Sequence, residues 1–447
     1  MESAESGRQF SSSSKDASAA EGRLWNFIPK GSILLLFYLL FVALLVMRRP
    51  DCIRNPQFWA EEGKRFFVDA HERSVWINLL TYSYGYFDLL LRSILQVAAL
   101  VPLEYAPLVL VLSALAIQAA VPTFVISARC ASWMGIFPIR LAAALIYCGL
   151  PNSFETHCIA LHARVHLAVL AALIIVSRPS LSRLGKLFDA SILTLSAFSG
   201  PFVLLLAPAA LWRHWCARTS ATRRNCLILV IGFIFAVFAI IASGGQRFGT
   251  PLGASLRDGI RVIGGQFTIG FLLGETAYAS IVRQGWFGIV AVTSFLGLAL
   301  VIFLILAYGK TESRYLLFIG LGSLAIALAA PIGAAPGMTL WRTLWSIPGN
   351  GQRYYLVPMA TLLFGLSALT GRGKTHASRW IAATLLLILG VTGVRNDWKL
   401  PAFTDFQFRK YVAIYRSLPP DSCVTVPINP PGWHMKLCKS VQRKDTR

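Results

Sequence analysis

The chain has 447 residues, 55% hydrophobic and 14% charged, with a mean hydropathy of +0.60. Such a make-up excludes an ordinary soluble globular domain and points to a polytopic membrane protein. The formal net charge of +22 would suit nucleic acid, but Lys and Arg fall in short clusters between apolar runs, the pattern of positive-inside loops, so no nucleic-acid partner is expected.

Taken in chain order, residues 1–30 are rich in Ser and Ala with balanced charge and read as a disordered cytoplasmic tail. No cleavage site follows the first apolar run, so 31–48 is an uncleaved first crossing. Residues 49–104 then form a long outer loop containing FWAEEGKRFF, in which Glu61 and Glu62 stand between aromatic residues that prefer the lipid headgroup level. A carboxylate there can serve as general base toward a hydroxyl or bind a divalent cation, or it can be a solvated pair balanced by Lys64 and Arg65. Further along the loop, 87–101 contains Arg92 and reads as an amphipathic helix on the outer surface, because an Arg in mid-bilayer costs at least ~2.5 kcal/mol.

Crossings are expected at 105–126, 137–150 and 158–176, separated on the outer side by a turn at 151–157. In NSFETHCIALHARVH, residues 152–166, the residues Asn152, Glu155, His157, His162 and Arg164 bring charge and hydrogen-bonding groups to the outer mouth of a span, as an anion-receptive vestibule would. Cys158, His162 and His166 recur at i, i+4, i+8, but the outer two are separated by about 12 Å of helix, too far to share one zinc ion.

Basic loops at 177–186 and 213–224 place both flanks of 187–212 in the cytoplasm, so this stretch is expected to enter and return as half-helices at 187–199 and 202–212, turning at Ser199-Gly200-Pro201. The alternative map makes 87–101 and 187–212 single crossings and puts 177–186 outside. Next come 225–243, a Gly-rich outer loop at 244–285 expected to be a mobile substrate-side lid, and crossings at 286–307, 315–335, 354–370 and 380–394. Ahead of 354–370, Gln352, Arg353 and Tyr354 follow a Gly-Asn-Gly turn, where a guanidinium can grip a phosphate or simply anchor the interface.

The fold class is therefore an all-α polytopic membrane protein of about eleven crossings with juxtamembrane helices on the outer face. Residues 31–394 form the membrane domain and 395–447 an external tail that caps the vestibule. Cys423 and Cys438, fifteen apart in that tail, are a disulfide candidate if it lies outside. No GxSxG, HExxH, CxxC or dinucleotide fingerprint occurs.

This layout resembles the GT-C superfamily of integral-membrane glycosyltransferases. The likeness is carried by the acidic pair of FWAEEGKRFF after the first span, the surface helix of YGYFDLLLRSILQVAALVP, the short paired helices of 187–212 and the long loop 244–285. It departs from the family in having two glutamates, where many members carry an aspartate, and no DxD pair. The resemblance implies a polyprenyl-phosphate sugar as donor, a glycan or lipid acceptor hydroxyl, and inverting transfer with Glu61 or Glu62 as base. Arg92, Arg164 and Arg353 would offset charge on the departing phosphate. It implies no cofactor beyond a possible divalent cation on Glu61 and Glu62, and a bacterial inner-membrane location with the N-terminus cytoplasmic and the C-terminus external. A transporter or flippase of a lipid-linked or small anionic substrate, and a lipid-linked glycan polymerase or ligase, are the alternatives.

Overall fold

The computed structural model describes residues 29–83, 85–243, 250–329, 331 and 335–439, so the expectation of a disordered tail over 1–28 lies outside the described residues. The chain is predominantly helical. Among the described residues, five helices are long and apolar enough to cross a membrane: Leu103–Ile126, Ser220–Ala242, Phe287–Tyr308, Thr311–Ala329 and His376–Asn396. Helices Ala128–Met134 and Phe137–Cys148 are bent by 104° relative to each other, and Ser32–Arg48, Ala160–Val176, Val203–Ala217 and Leu356–Arg372 are shorter apolar helices.

The peripheral helices leave large apolar side chains uncovered, such as Leu227, Ile231 and Phe238 on one and Ile289, Leu296 and Phe303 on another. Water would disfavour so continuous an apolar belt, whereas hydrocarbon accepts it once the backbone is satisfied within each helix. This is a membrane protein. Two helices are covered instead: in Ala160–Val176 every residue but Arg164 is buried, as is nearly all of Leu356–Arg372. Alanines in the first let neighbouring helices approach closely.

Helix Leu89–Ala99 buries Leu91, Arg92 and Leu95 on one side and exposes Val97 on the other. Its eleven residues reach about 16 Å, too short to cross a core of about 30 Å. The chain between Arg183–Ala197 and Val203–Ala217 breaks at Ser199-Gly200-Pro201, as expected, with Gly200 at φ +88°.

The expected lid at 244–285 is different. Beyond 244–249, which lie outside the described residues, the segment is helical over Leu256–Ile260, Arg261–Ile269, Gly270–Leu273 and Glu275–Ile281. Gly264 and Gly265 are packing positions: a Cβ on Gly264 would lie 1.9 Å from the Ala291 carbonyl oxygen, inside helix Phe287–Tyr308, and one on Gly265 2.9 Å from the Phe287 ring. Tertiary contact here outweighs the low helix propensity of glycine.

The C-terminal segment also departs from an all-α fold. After helix Phe408–Ser417, strands β1 (Cys423–Ile428) and β2 (Trp433–Cys438) pair antiparallel, with Cys423 opposite and disulfide-bonded to Cys438. The two-residue period of a strand puts Val424, Val426 and Ile428 on the same face as Leu437, Met435 and Trp433. That face joins Phe58, Phe66, Phe67, Leu91, Ile159 and Phe408 in a second core, built over one end of the helical bundle. Asn429 clamps the turn: its N–H donates to the Phe58 carbonyl (3.1 Å), its carbonyl accepts from the Ala60 N–H, and its side chain exchanges two hydrogen bonds with the Thr404 backbone. The loop after the first helix and the C-terminal segment are thus one unit. Buried Arg48 fixes that unit to the bundle by donating to the carbonyls of Cys148, Leu150, Asp397 and Trp398.

Candidate functional site

Between the second core and the bundle lies a cavity of about 290 Å³. Its wall starts at Trp59-Ala60-Glu61. Ala60 has φ +42°, a left-handed conformation that an L-residue adopts only when its surroundings hold it there, and the Asn429 clamp does so. This turn separates the two glutamates. Glu62 goes inward, 3% exposed, and its carboxylate accepts from the backbone N–H groups of Ala160 and Leu161 at the start of helix Ala160–Val176. Glu61 remains partly exposed and lines the cavity.

Facing Glu61 are Glu155, His162, Arg164 and Arg353, with Tyr86, Phe66, Leu161, Pro430 and Trp433 completing the wall. Arg353 is ion-paired with Glu155, its backbone N–H also donating to the same carboxylate at 3.3 Å, and His162 Nε2 is 4.0 Å from it. Arg164 is ion-paired with Asp88, itself 1% exposed. Burial pushes the Asp88 carboxyl up, and Arg164 opposes that rise. The two guanidiniums rest on aromatic faces, Arg164 4.9 Å from the Tyr86 ring and Arg353 4.8 Å from that of Tyr354.

A second, largely apolar recess shares Tyr86, His162, Arg164 and Arg353 with this cavity. It continues between the helices along Pro201, Phe202, Leu205, Ile326, Ala327 and Tyr354. The break at Ser199-Gly200-Pro201 makes room for the junction: a Cβ on Gly200 would stand 3.2 Å from Arg164 Cδ. A carboxylate chamber, a pair of cations and an apolar slot therefore follow one another in space. That order suits an amphiphile with an anionic joint between a polar head and a hydrocarbon tail.

Of the residues singled out in the sequence, Glu61, Glu155, His162, Arg164 and Arg353 line the cavity and Tyr354 the recess. Four others are held elsewhere. Arg92 is fully buried, donating to Asn78 and Ser83 and lying 3.6 Å from Asp69. Asn152 and Gln352 hydrogen-bond to each other, and with Asp397, Gln266 and Glu275 they knit together the 275–281, 352–354 and 394–397 segments. His157 bridges the Leu45 carbonyl and Gln118. Among the described residues no group of three or more His, Cys, Asp or Glu side chains is placed to hold a metal ion.

Compared with protein-family models and with curated proteins, the sequence matches none.

Phe66, expected as one of the headgroup-level aromatics around the acidic pair, is instead buried on the cavity wall, and sequence reasoning passed over Tyr86, Pro430 and Trp433. A signal for the last two was present: VTVPI and WHMKLC flank an Asn-Pro-Pro-Gly turn with alternating apolar residues, the pattern of a hairpin.

Glu62 has a pH signature. Burial raises its carboxyl from 4.5 to about 8, against the opposing pull of the two N–H groups. Its protonated form is thus favoured in the folded chain, so its stabilising share is fully present below pH ~4.5 and is lost as pH rises through about 8. At about 1.4 kcal/mol per unit the loss approaches 5 kcal/mol. Thermal midpoints in detergent should fall between pH 5 and 8.5 for the native chain and fall less for Glu62→Gln; equal slopes would show that Glu62 does not titrate in this way.

Proposed function

We propose that the chain is a membrane glycosyltransferase of the GT-C type, which moves a sugar from a polyprenyl-phosphate donor to an acceptor hydroxyl at the outer face of a bacterial inner membrane. The reading takes the chain to make about eleven crossings, with its N-terminus cytoplasmic. The observation that carries it is that Glu61 lines one cavity and an apolar recess lies beside it, with Arg164 and Arg353 lining both.

In this reading the prenyl tail lies in the recess along Phe202, Leu205 and Ile326, and the phosphate meets the guanidiniums of Arg164 and Arg353, which can each donate to several oxygens. The sugar then projects into the chamber with Glu61. Glu61 takes the proton of the acceptor hydroxyl as its oxygen attacks the anomeric carbon from the side opposite the phosphate. The bond between that carbon and the phosphate oxygen breaks, the electron pair leaves with the phosphate, and configuration inverts. The developing charge falls beside Arg164 and Arg353, preorganised by Asp88, Glu155, Tyr86 and Tyr354. Glu61 and Glu155 are the carboxylates that line the chamber. Two side chains make a sparse oxygen shell for a divalent cation.

Cells lacking the chain should accumulate one polyprenyl-phosphate sugar and lose that sugar from an envelope glycan, as read by mass spectrometry of lipid and glycan fractions. Unchanged lipid-linked sugars would refute the proposal. Accumulation of a complete lipid-diphosphate oligosaccharide would instead support a polymerase or ligase.

A further inference from the structure

We propose that Trp433, at the tip of the C-terminal hairpin, is the platform on which the transferred sugar ring stacks, so that the chamber selects a pyranose whose C–H groups form one continuous face. The inference rests on the glycosyltransferase reading of the cavity.

The hairpin is not peripheral. Its inward face buries Val426, Ile428, Met435 and Leu437, yet Trp433, in the same register and opposite Ile428, is only partly covered and lines the cavity with Glu61. Gly63 allows this approach, since a Cβ there would meet Ile428 Cδ1 at 3.0 Å. The Asn429 clamp ties the turn to the backbone just before Glu61, so the indole and the carboxylate are set by one rigid joint. Lys64 Nζ also lies 5.2 Å from the Trp433 ring centroid, adding a contact that orients the indole.

An indole face carries negative charge density and a large apolar area. Pyranose C–H groups are weakly positive and apolar, so a ring face made of them settles on an indole, while the hydroxyls at the ring edge reach carboxylates and guanidiniums. The chamber offers both surfaces to one ligand: Trp433 on one element, and Glu61, Glu155, Arg164 and Arg353 on four others. Trp59 is different, being 9% exposed and packed on Phe403 and Phe154. Trp433 is therefore the positioning residue for the sugar.

The test uses the full chain in nanodiscs with farnesyl-phosphate glucose, galactose and mannose, sugar-free farnesyl phosphate as competitor, and the variants Trp433→Phe and Trp433→Leu at matched thermal midpoints. Loss of the stack in Trp433→Leu should raise KM for the preferred donor about three- to tenfold with kcat little changed, and Trp433→Phe should recover most of it. Inhibition by sugar-free farnesyl phosphate should be unaffected. An unchanged KM, or equal weakening of donor and sugar-free lipid, overturns the role of Trp433. If the native chain transfers none of the sugars, the glycosyltransferase reading fails separately. The stacking is then read by binding of labelled donor, where equal affinity of native chain and Trp433→Leu, or binding by neither, overturns it as well.

Discussion

Glu61→Gln is expected to lower sugar transfer about 10²- to 10⁴-fold, the range typical of a lost general base, with the chain still folded. Gln matches Glu in size, and residue 61 lies partly exposed on the cavity wall, outside the tightly packed core. The neighbouring Glu62→Gln should behave differently. An amide oxygen still accepts from the N–H groups of Ala160 and Leu161, and Gln is neutral like the protonated Glu62 that burial favours, so turnover should stay within about tenfold of the native chain. Initial rates at matched protein level, across pH 5.5 to 8.5, separate the two. A severe loss in Glu62→Gln with full activity in Glu61→Gln would reverse the assignment.

Removing the C-terminal hairpin should have an effect of similar size by another route. Truncation after Ser417 strips Val426, Ile428, Met435 and Leu437 from the second core; at about 1.5–3 kcal/mol per side chain this amounts to roughly 6–12 kcal/mol. The Asn429 clamp is lost with them, and Ala60 no longer has the contact that holds its left-handed backbone. Helix Ala160–Val176 gives Ala160, Leu161, Ala163 and Leu167 to the second core, but its Ala168–Val176 half and helix Leu356–Arg372 belong to the bundle core, so the truncated chain should still insert and purify while transferring no sugar. Cys423→Ser with Cys438→Ser is the graded form: opening a loop of fifteen residues costs about 3 kcal/mol, and activity should become temperature-sensitive. Full activity in the truncated chain would show that the hairpin is no part of the site.

The apolar runs were legible because hydropathy alone sets where a chain can enter lipid. The reading of 225–243, 286–307 and 354–370 meets helices Ser220–Ala242, Phe287–Tyr308 and Leu356–Arg372 within a few residues. The break at Ser199-Gly200-Pro201 was legible for a local reason, since Gly and Pro both disfavour helix continuation. What escaped depended on tertiary partners. Nothing local marks Ala60 as left-handed, and without that turn Glu61 and Glu62 look equivalent. Arg92 and Arg164 are alike as arginines near charged loops, yet Asn78, Ser83 and Asp69 claim one, and a gap against Gly200 and Tyr86 brings the other to the cavity. The glycines of 264 and 265 suggest mobility until the neighbouring helix is in place.

The central question is whether the cavity with Glu61 and the adjoining recess perform chemistry on a lipid-linked sugar. The direct measurement is release of sugar-free polyprenyl phosphate from a panel of polyprenyl-phosphate sugars by the purified chain in nanodiscs, with a mixed glycan extract as acceptor. The account predicts release from at least one donor, abolished by Glu61→Gln and by truncation after Ser417. Donors that bind but are recovered intact, or that cross the bilayer unaltered in a proteoliposome version of the assay, would contradict it.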